Sequence, residues 1–313
     1  RAVGLPGGTP PRRRPAVRSV RAAVDAGTIE QGRHPPGGER DPEERAARLA
    51  GIGGATHPPP LPYDGAMPGE TPAFSFDGAT KRYGGLLALD ALTLSVPPGV
   101  VFALVGPNGA GKTTAIGLLT GLLAPTAGRA EVFGVDVAAR PVESKRLLGF
   151  VPDRPFLWPR WTPRETLRFV GAVFGGSGSE LEERIEEETA SFGLEAAADR
   201  TNETLSHGTR QKVALAQAFL HAPRLFVLDE PMVGLDPLAQ KLLVERLRER
   251  TREGAAVLLT THHLALAEEV ADDAGVLVKG RLVARGAPLA MTARGRPGRL
   301  SELFFDLAAG EAP

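Results

Sequence analysis

One segment of this chain has the residue types and the spacing of a phosphate-binding loop. Residues 106–113 are Gly-Pro-Asn-Gly-Ala-Gly-Lys-Thr and follow an apolar run. Glycine allows backbone amides to approach phosphate oxygens, and a helix that begins there adds its positive dipole end. Lys112 would reach the β- and γ-phosphates, and the Thr113 hydroxyl would bind Mg²⁺. The candidate nucleotide contacts of this phosphate loop are Gly106, Asn108, Gly109, Gly111, Lys112, Thr113 and Thr114.

A pair of carboxylates follows a second apolar run. Residues 225–228 end in Asp229 and Glu230, which would place both side chains at the carboxyl edge of a parallel sheet, where such folds bind ligands. Asp229 is the expected holder of Mg²⁺, directly or indirectly, and Glu230 the base or orienting group for an attacking water. Alone, an acidic pair after a strand is more often a helix cap or a loop start. Together with the phosphate loop it predicts a nucleotide hydrolysis site.

These side chains require strands that end at a common sheet edge. Predicted strands cover residues 74–76, 92–96, 100–105, 225–228 and 256–259. Helices are predicted over residues 115–123 and 238–247. Strand, helix and strand in this order favour an α/β fold with a mostly parallel sheet and flanking helices.

Composition excludes several other classes of protein. Lys plus Arg and Asp plus Glu both total 37, so no field of the whole chain attracts nucleic acid or an anionic membrane. The chain has 0 cysteines, which excludes a disulfide framework, a thiolate metal site and a cysteine nucleophile. No apolar run approaches the roughly 20 residues that cross a bilayer. A role at a membrane would therefore be peripheral.

Residues 1–71 differ from the rest in being rich in Pro, Arg and Gly. Segments such as residues 10–15, 35–38 and 58–60 remove backbone donors and interrupt any helical or strand period. We expect a disordered extension here. An arginine-rich arm for an anionic surface and a proline-rich ligand for a recognition domain are the two alternatives.

A third segment lies between the two nucleotide motifs. Residues 205–212 read Leu-Ser-His-Gly-Thr-Arg-Gln-Lys and resemble the signature sequence of ATP-binding-cassette (ABC) proteins, usually written LSGGQ. Other segments resemble the same family in the same order. These are Lys81 to Gly84 before the phosphate loop, Gly234 to Pro237 after the acidic pair, and Thr260 to His262. The resemblance covers residues 74–306.

The resemblance implies a P-loop NTPase core with an N-terminal antiparallel β-subdomain and a helical signature subdomain over about residues 153–212, all within an ATPase domain at 72–313. ATP and Mg²⁺ are the implied ligands. Two such domains would face head to tail, so that each ATP lies between one phosphate loop and the other signature. Tyr83 would stack on adenine, His262 would contact the γ-phosphate and hold the catalytic Glu230, and Ser206 and Gly208 would meet the partner's γ-phosphate. Asp236 is a further implied nucleotide contact.

Three positions depart from the family pattern. His207 replaces the first signature glycine and Thr209 the glutamine, as in the ATPases of some short bacterial exporters. Asp153 stands where the family usually has a glutamine that reaches Mg²⁺ and the attacking water. Aspartate can still bind the metal through oxygen, so the predicted metal ligands are Thr113, Asp153 and Asp229.

Both tryptophans of the chain lie just before a well-marked helix start. Trp158 and Trp161 precede Thr162 as the cap, Pro163 in the first turn and Glu165 as the partner in a capping box. In ABC proteins this stretch resembles the part that docks on the membrane subunit, and aromatic residues are enriched at interface centres. We expect Trp158 to be the contact and Trp161 to be partly core.

The leading interpretation is an ATPase subunit that drives transport through a separate transmembrane permease, as a homodimer or a heterodimer, from the cytoplasmic face of the cell membrane. The altered signature favours export. A soluble ABC ATPase that acts on ribosomes, DNA or another assembly is the alternative. It is less favoured because the chain has one contiguous cassette, without zinc modules or heptads, and no nucleic-acid partner is expected. A third interpretation is a regulator that binds nucleotide without hydrolysing it. The presence of Glu230 and His262 argues against it.

Overall fold

The computed structural model describes residues 71–289, 292–293, 296–297, 300–301 and 304. The predicted disordered extension, apart from Thr71, lies outside these residues. Within them, no helix combines the length and the apolarity needed to span a bilayer.

Two sheets account for most of the strands. The first is antiparallel, with strands β1 (Phe74–Tyr83), β2 (Leu86–Val96), β4 (Ala127–Val132) and β5 (Val135–Asp136) in the order β2-β1-β4-β5. The second has the order β10-β9-β3-β8-β7-β6. Its strands are β3 (Val101–Val105), β6 (Leu148–Val151), β7 (Leu225–Asp229), β8 (Ala256–Thr260), β9 (Asp273–Val278) and β10 (Arg281–Gly286). A short hairpin, β11 (Thr292–Ala293) with β12 (Arg296–Pro297), follows.

The second sheet is parallel except for its last strand. β3 pairs in parallel with β8 and β9, β8 with β7, and β7 with β6, whereas β10 returns antiparallel to β9. The carboxyl ends of β3, β6, β7 and β8 therefore meet at one edge. The predicted α/β fold with a mostly parallel sheet and a separate antiparallel sheet is confirmed.

The helices flank this sheet. They are α1 (Lys112–Leu119), α2 (Pro141–Arg146), α3 (Pro163–Val173), α4 (Gly178–Ser191), α5 (His207–Leu220), α6 (Pro237–Arg252) and α7 (Leu264–Val270), with a 3₁₀ turn at Asn202–Thr204. The predicted helix over 115–123 is wrong at both ends. It starts at Lys112, and it stops at Leu119 because Gly121 adopts a left-handed backbone conformation with φ of 67°.

β3 divides the core into two layers. Its side chains alternate, so that Val101, Ala103 and Val105 join one apolar cluster and Phe102 and Leu104 join the other. The second cluster includes the buried face of the antiparallel sheet, where aromatic side chains meet edge to face. A strand covered on both faces has no polar side to present, which explains the continuous apolar run in the sequence.

Helices α3, α4 and α5 pack against one another, and α5 also packs on β6. They lie in the part of the chain for which a helical subdomain is predicted. The capping box at the start of α3 is confirmed, since the Thr162 side chain accepts from the Glu165 amide and the Glu165 side chain accepts from the Thr162 amide. A partly buried ion pair joins this part to α6. Arg246 donates to both carboxylate oxygens of Glu188, at 2.7 and 2.8 Å, and its guanidinium lies over the ring of Phe219.

Candidate active site

The phosphate loop connects β3 to α1. Gly109 and Gly111 have φ of 79° and 110°, backbone angles that residues with a Cβ rarely adopt. At Gly111 space is also lacking, because an added Cβ would lie 2.6 Å from the carbonyl oxygen of Ala88. Glycine at this position is thus required by both the backbone conformation and the packing. The loop then enters the N-terminus of α1, where backbone amides have no intrahelical acceptor.

The Lys112 ammonium lies across this loop. Its Nζ donates to the carbonyl oxygens of Gly106 at 2.5 Å and Pro107 at 3.2 Å. Burial lowers the pKa of Lys112, while the negative charges of Glu230 and Asp229 act in the opposite direction. A half-buried cation held only by carbonyl oxygens fits a phosphate group, whose oxygens form stronger, charge-assisted hydrogen bonds with it.

Asp229 ends β7 beside this lysine and is only 8% exposed. Its Oδ1 accepts a hydrogen bond from the Thr260 hydroxyl at 2.5 Å. Burial raises the pKa of Asp229, and the charges of Asp153 and Glu230 raise it further, against the effect of the Thr260 bond. Carboxylates that disfavour one another's charge in this way are suited to a site that a cation completes.

Glu230 follows with an unusual backbone and a defined side-chain partner. Its φ is 50°, a left-handed conformation that costs a non-glycine residue on the order of 1–3 kcal/mol. Its amide donates to the carbonyl oxygen of Thr260 at 3.1 Å, and its Oε1 lies 2.8 Å from Nδ1 of His262. The predicted relation of His262 to Glu230 therefore corresponds to a direct side-chain contact. With Nδ1 protonated, the imidazole holds the carboxylate in one orientation.

The oxygen donors near this edge suit Mg²⁺, which prefers carboxylates, hydroxyls, phosphates and water. Thr113 is exposed at the start of α1, Asp153 is half exposed after β6, and Asp229 is buried. Among the described residues, no cluster of three or more acidic or histidine side chains is arranged to hold a metal on its own. Magnesium bound here would take its remaining ligands from nucleotide phosphates and water.

The signature segment begins α5. Ser206 is the helix cap, and its Oγ accepts from the Thr209 amide at 3.1 Å and lies 2.8 Å from the Thr209 hydroxyl. A Cβ on Gly208 would lie 2.2 Å from the carbonyl oxygen of Gly234. Gly208 is therefore required by a contact within its own chain, a reason that the sequence did not reveal. His207 is exposed and its ring lies beside Gly234.

Asp236 has partners within its own chain. It caps α6 by accepting from the Ala239 amide at 2.9 Å, and it accepts from Lys212 Nζ at 3.0 Å. Both interactions lower its pKa. Asp236 therefore has a structural role in its own chain, and the predicted contact with nucleotide would be a second role.

Thr260 belongs to the segment 260–262 that resembles the ABC family, but the pattern of that segment does not predict its contact with Asp229. Asp229 and Thr260 are direct neighbours in the parallel pairing of β7 and β8. The signal was present in the sequence, since both residues end apolar runs whose carboxyl ends must meet.

Tyr83 ends β1 with 44% of its surface exposed, and Lys81 Nζ lies 5.3 Å from its ring centroid. An exposed ring of this kind can stack on a purine. Replacing Tyr83 with Ala should weaken the binding of ATP and of GTP alike, about 5- to 10-fold, because stacking uses the π face that every purine offers. Titration of both nucleotides would measure it, and unchanged affinities would remove Tyr83 from the site.

Comparisons with known proteins place the chain in a family. Residues 89–233 match the family model described as ABC transporter. The chain is 41% identical to the Nod factor export ATP-binding protein I of Mesorhizobium japonicum over 71% of this chain and 65% of that protein. It is 38% identical to the protein of that name from Paraburkholderia xenovorans, over 71% of this chain and 73% of that protein.

Two further matches extend the comparison. The probable multidrug ABC transporter ATP-binding protein YbhF of Escherichia coli is 35% identical over 71% of this chain, which spans only 38% of that protein. A solved structure of the ATP-binding subunit of an ABC transporter has 34% identity and a TM-score of 0.70, and the match covers 75% of this chain and 99% of that one. The chain therefore belongs to the ATP-binding proteins of ABC transporters, a family of ABC-type ATPases.

Proposed function

We propose that this chain is the ATP-hydrolysing subunit of an ABC transporter and that it drives transport through a permease on a separate chain. The observation that supports this most directly is the 2.8 Å contact between Glu230 and His262. The charge of Glu230 also reaches the ammonium of Lys112 in the phosphate loop. A carboxylate held in this way beside a phosphate-binding loop is suited to hydrolysis as well as to binding.

Each residue of the site has a role in this reaction. The phosphate-loop amides and Lys112 bind the β- and γ-phosphates, and bound Mg²⁺ supplies neutralisation of the phosphate charge. Glu230 orients a water and accepts its proton as the water oxygen bonds to the γ-phosphorus and the bond to the bridging oxygen breaks. The proton then leaves Glu230 for the released phosphate. His262 keeps the carboxylate directed at the water.

The signature segment completes the site of a second subunit in this proposal. Ser206 and the Gly208 amide lie at the N-terminus of α5, where unpaired amides and the helix dipole favour an anion. The Ser206 hydroxyl is exposed and caps its own helix, so it can turn towards a γ-phosphate that a partner presents. Two chains, identical or different, would enclose two ATP molecules. Loss of the γ-phosphate would then release the pair.

A cluster of aromatic side chains supports a docking surface for the permease. Phe156 is 76% exposed and Trp158 is 39% exposed, and the ring of Trp158 packs on those of Trp161 and Phe169. Trp161 is only partly exposed. Exposed aromatic groups on a supporting aromatic base are typical of interface centres. This surface would bind the permease at the cytoplasmic face of the membrane, and the names of the export relatives favour export.

Changing Trp158 to Ala should weaken the association with the permease at least about tenfold, because buried tryptophans dominate interface energies. ATP binding by the isolated chain should not change, since Trp158 is remote in the chain from the phosphate loop. The measurement is recovery of membrane protein with the full chain purified from membranes of its host. Val142→Ala is the matched control, because Val142 is an apolar residue with 70% exposure on α2. Equal recovery with the Trp158 and Val142 variants would contradict the proposed surface.

A further inference from the structure

Gln211, on the first turns of α5, is a buried amide that the reaction outlined above does not use. It is 1% exposed. Its Nε2 donates to the carbonyl oxygen of Pro231 at 3.2 Å, while its Oε1 has no hydrogen-bond partner in the described part of the chain. A buried acceptor left unsatisfied costs about 1–3 kcal/mol. A methionine would fill the same space without this cost but would leave the Pro231 carbonyl without its donor, so what the amide adds at this position is its bond to Pro231.

The bond made by Gln211 is directed at the residue that follows Glu230. Proline has no backbone N–H, so its carbonyl is the only hydrogen-bonding group that Pro231 offers. The amide of Glu230 is held on the other side by the carbonyl oxygen of Thr260. Glu230 needs such anchors, because its left-handed backbone, with φ of 50°, persists only where the surroundings determine it.

α5 contacts the same loop at two further points. Gly208 approaches Gly234 so closely that a Cβ would not fit, and Lys212 donates to Asp236 at 3.0 Å. These contacts fix the helix against the loop, so the amide of Gln211 has a defined position from which to donate. Of the three contacts, the one made by Gln211 is next to Glu230 in the chain.

We propose that Gln211 is a positioning residue for Glu230. By holding the Pro231 carbonyl, its amide fixes the peptide between Pro231 and Met232, which restrains the chain just after Glu230 and so keeps the carboxylate against His262. The inference rests on the proposed function, in which Glu230 directs the water. Misplacement of a reacting group by about 1 Å can cost on the order of 100-fold in rate, so one anchor beside Glu230 can control turnover.

The test is Gln211→Met in the full chain. Methionine keeps the volume and the burial but removes the donor. The kcat for ATP should fall about tenfold or more, while KM should stay within about threefold, since the phosphate loop is untouched. In a Glu230→Gln background the same change should have no further effect on the residual turnover, because its action passes through Glu230. A merely structural role of Gln211 would reduce turnover in both backgrounds.

Gln240→Met is the matched control. Gln240 donates to the carbonyl oxygens of Leu235 at 3.1 Å and Met232 at 3.4 Å. The same chemical change therefore acts on the same loop but leaves the Pro231 carbonyl bound to Gln211, and kcat should stay within about twofold of wild type. An unchanged kcat in Gln211→Met, or equal losses in both variants, would overturn the proposal. Gln211→Leu gives the same test if the methionine variant does not fold. Absence of ATPase activity in the wild-type protein would instead reject the proposed function.

Discussion

Replacing Glu230 with Gln should reduce ATP turnover about 10²- to 10⁴-fold, the range that a positioned general base contributes. The amide keeps the shape and the hydrogen-bonding reach of the side chain, so ATP should still bind. The nucleotide that remains intact should then hold two subunits together. Steady-state phosphate release and nucleotide titration measure the first two effects. Size-exclusion chromatography should show monomers without nucleotide and dimers with ATP and Mg²⁺, and ADP should not substitute.

Adding Ser206→Arg to this variant tests whether the signature segment of one subunit completes the ATP site of the other. The arginine places bulk and positive charge at the N-terminus of α5, where the γ-phosphate of the partner would lie. Dimers should disappear, while binding of ATP to the monomer should be largely retained. Dimers that persist in the double variant, or normal turnover in Glu230→Gln alone, would contradict the arrangement proposed here.

Removing the ammonium of Lys112 should have the second large effect. Lys112→Ala should weaken ATP binding about 10²-fold or more, because hydrogen bonds to charged groups contribute about 1.5–3 kcal/mol each and this ammonium can make more than one. Isothermal titration with ATP would measure the loss. Lys145→Ala is the control, since Lys145 is an exposed lysine on α2 and its removal should leave the affinity unchanged. Equal affinities in the two variants would exclude Lys112 from the phosphate site.

The sequence predicted the parts of the fold that depend on local pattern. The apolar runs of β3, β7 and β8 were visible because strands buried on both faces need no polar side chains. The start of α3 was visible because Thr162, Pro163 and Glu165 occupy fixed capping positions. The edge at which Lys112, Asp229 and Glu230 gather followed from the parallel order of these strands. Membership of the family followed from the signature segment.

Other features depend on contacts between distant parts of the chain. The pairing of β1 with both β2 and β4 is interrupted by register shifts, which alternation of side chains does not predict. The pair of Arg246 and Glu188 joins two helices that are far apart in sequence, so neither residue stands out on its own helix. In the sequence, Gln211 looks like any polar residue near the start of a helix. Only the folded structure shows its contact with Pro231. The C-terminal end of α1 was predicted too far along the chain. Leu123 continues the apolar pattern, although the left-handed backbone of Gly121 ends the helix before it.

At position 230, the backbone conformation that the active site uses lowers the stability of the fold, because a non-glycine residue is strained there. Glycine tolerates that conformation best and would relieve the strain, but it has no carboxylate with which to orient water. A programme of thermostabilisation guided by backbone geometry alone would therefore choose position 230 early and produce an inert protein. Stabilising changes should be sought instead at positions remote from the 230–236 loop.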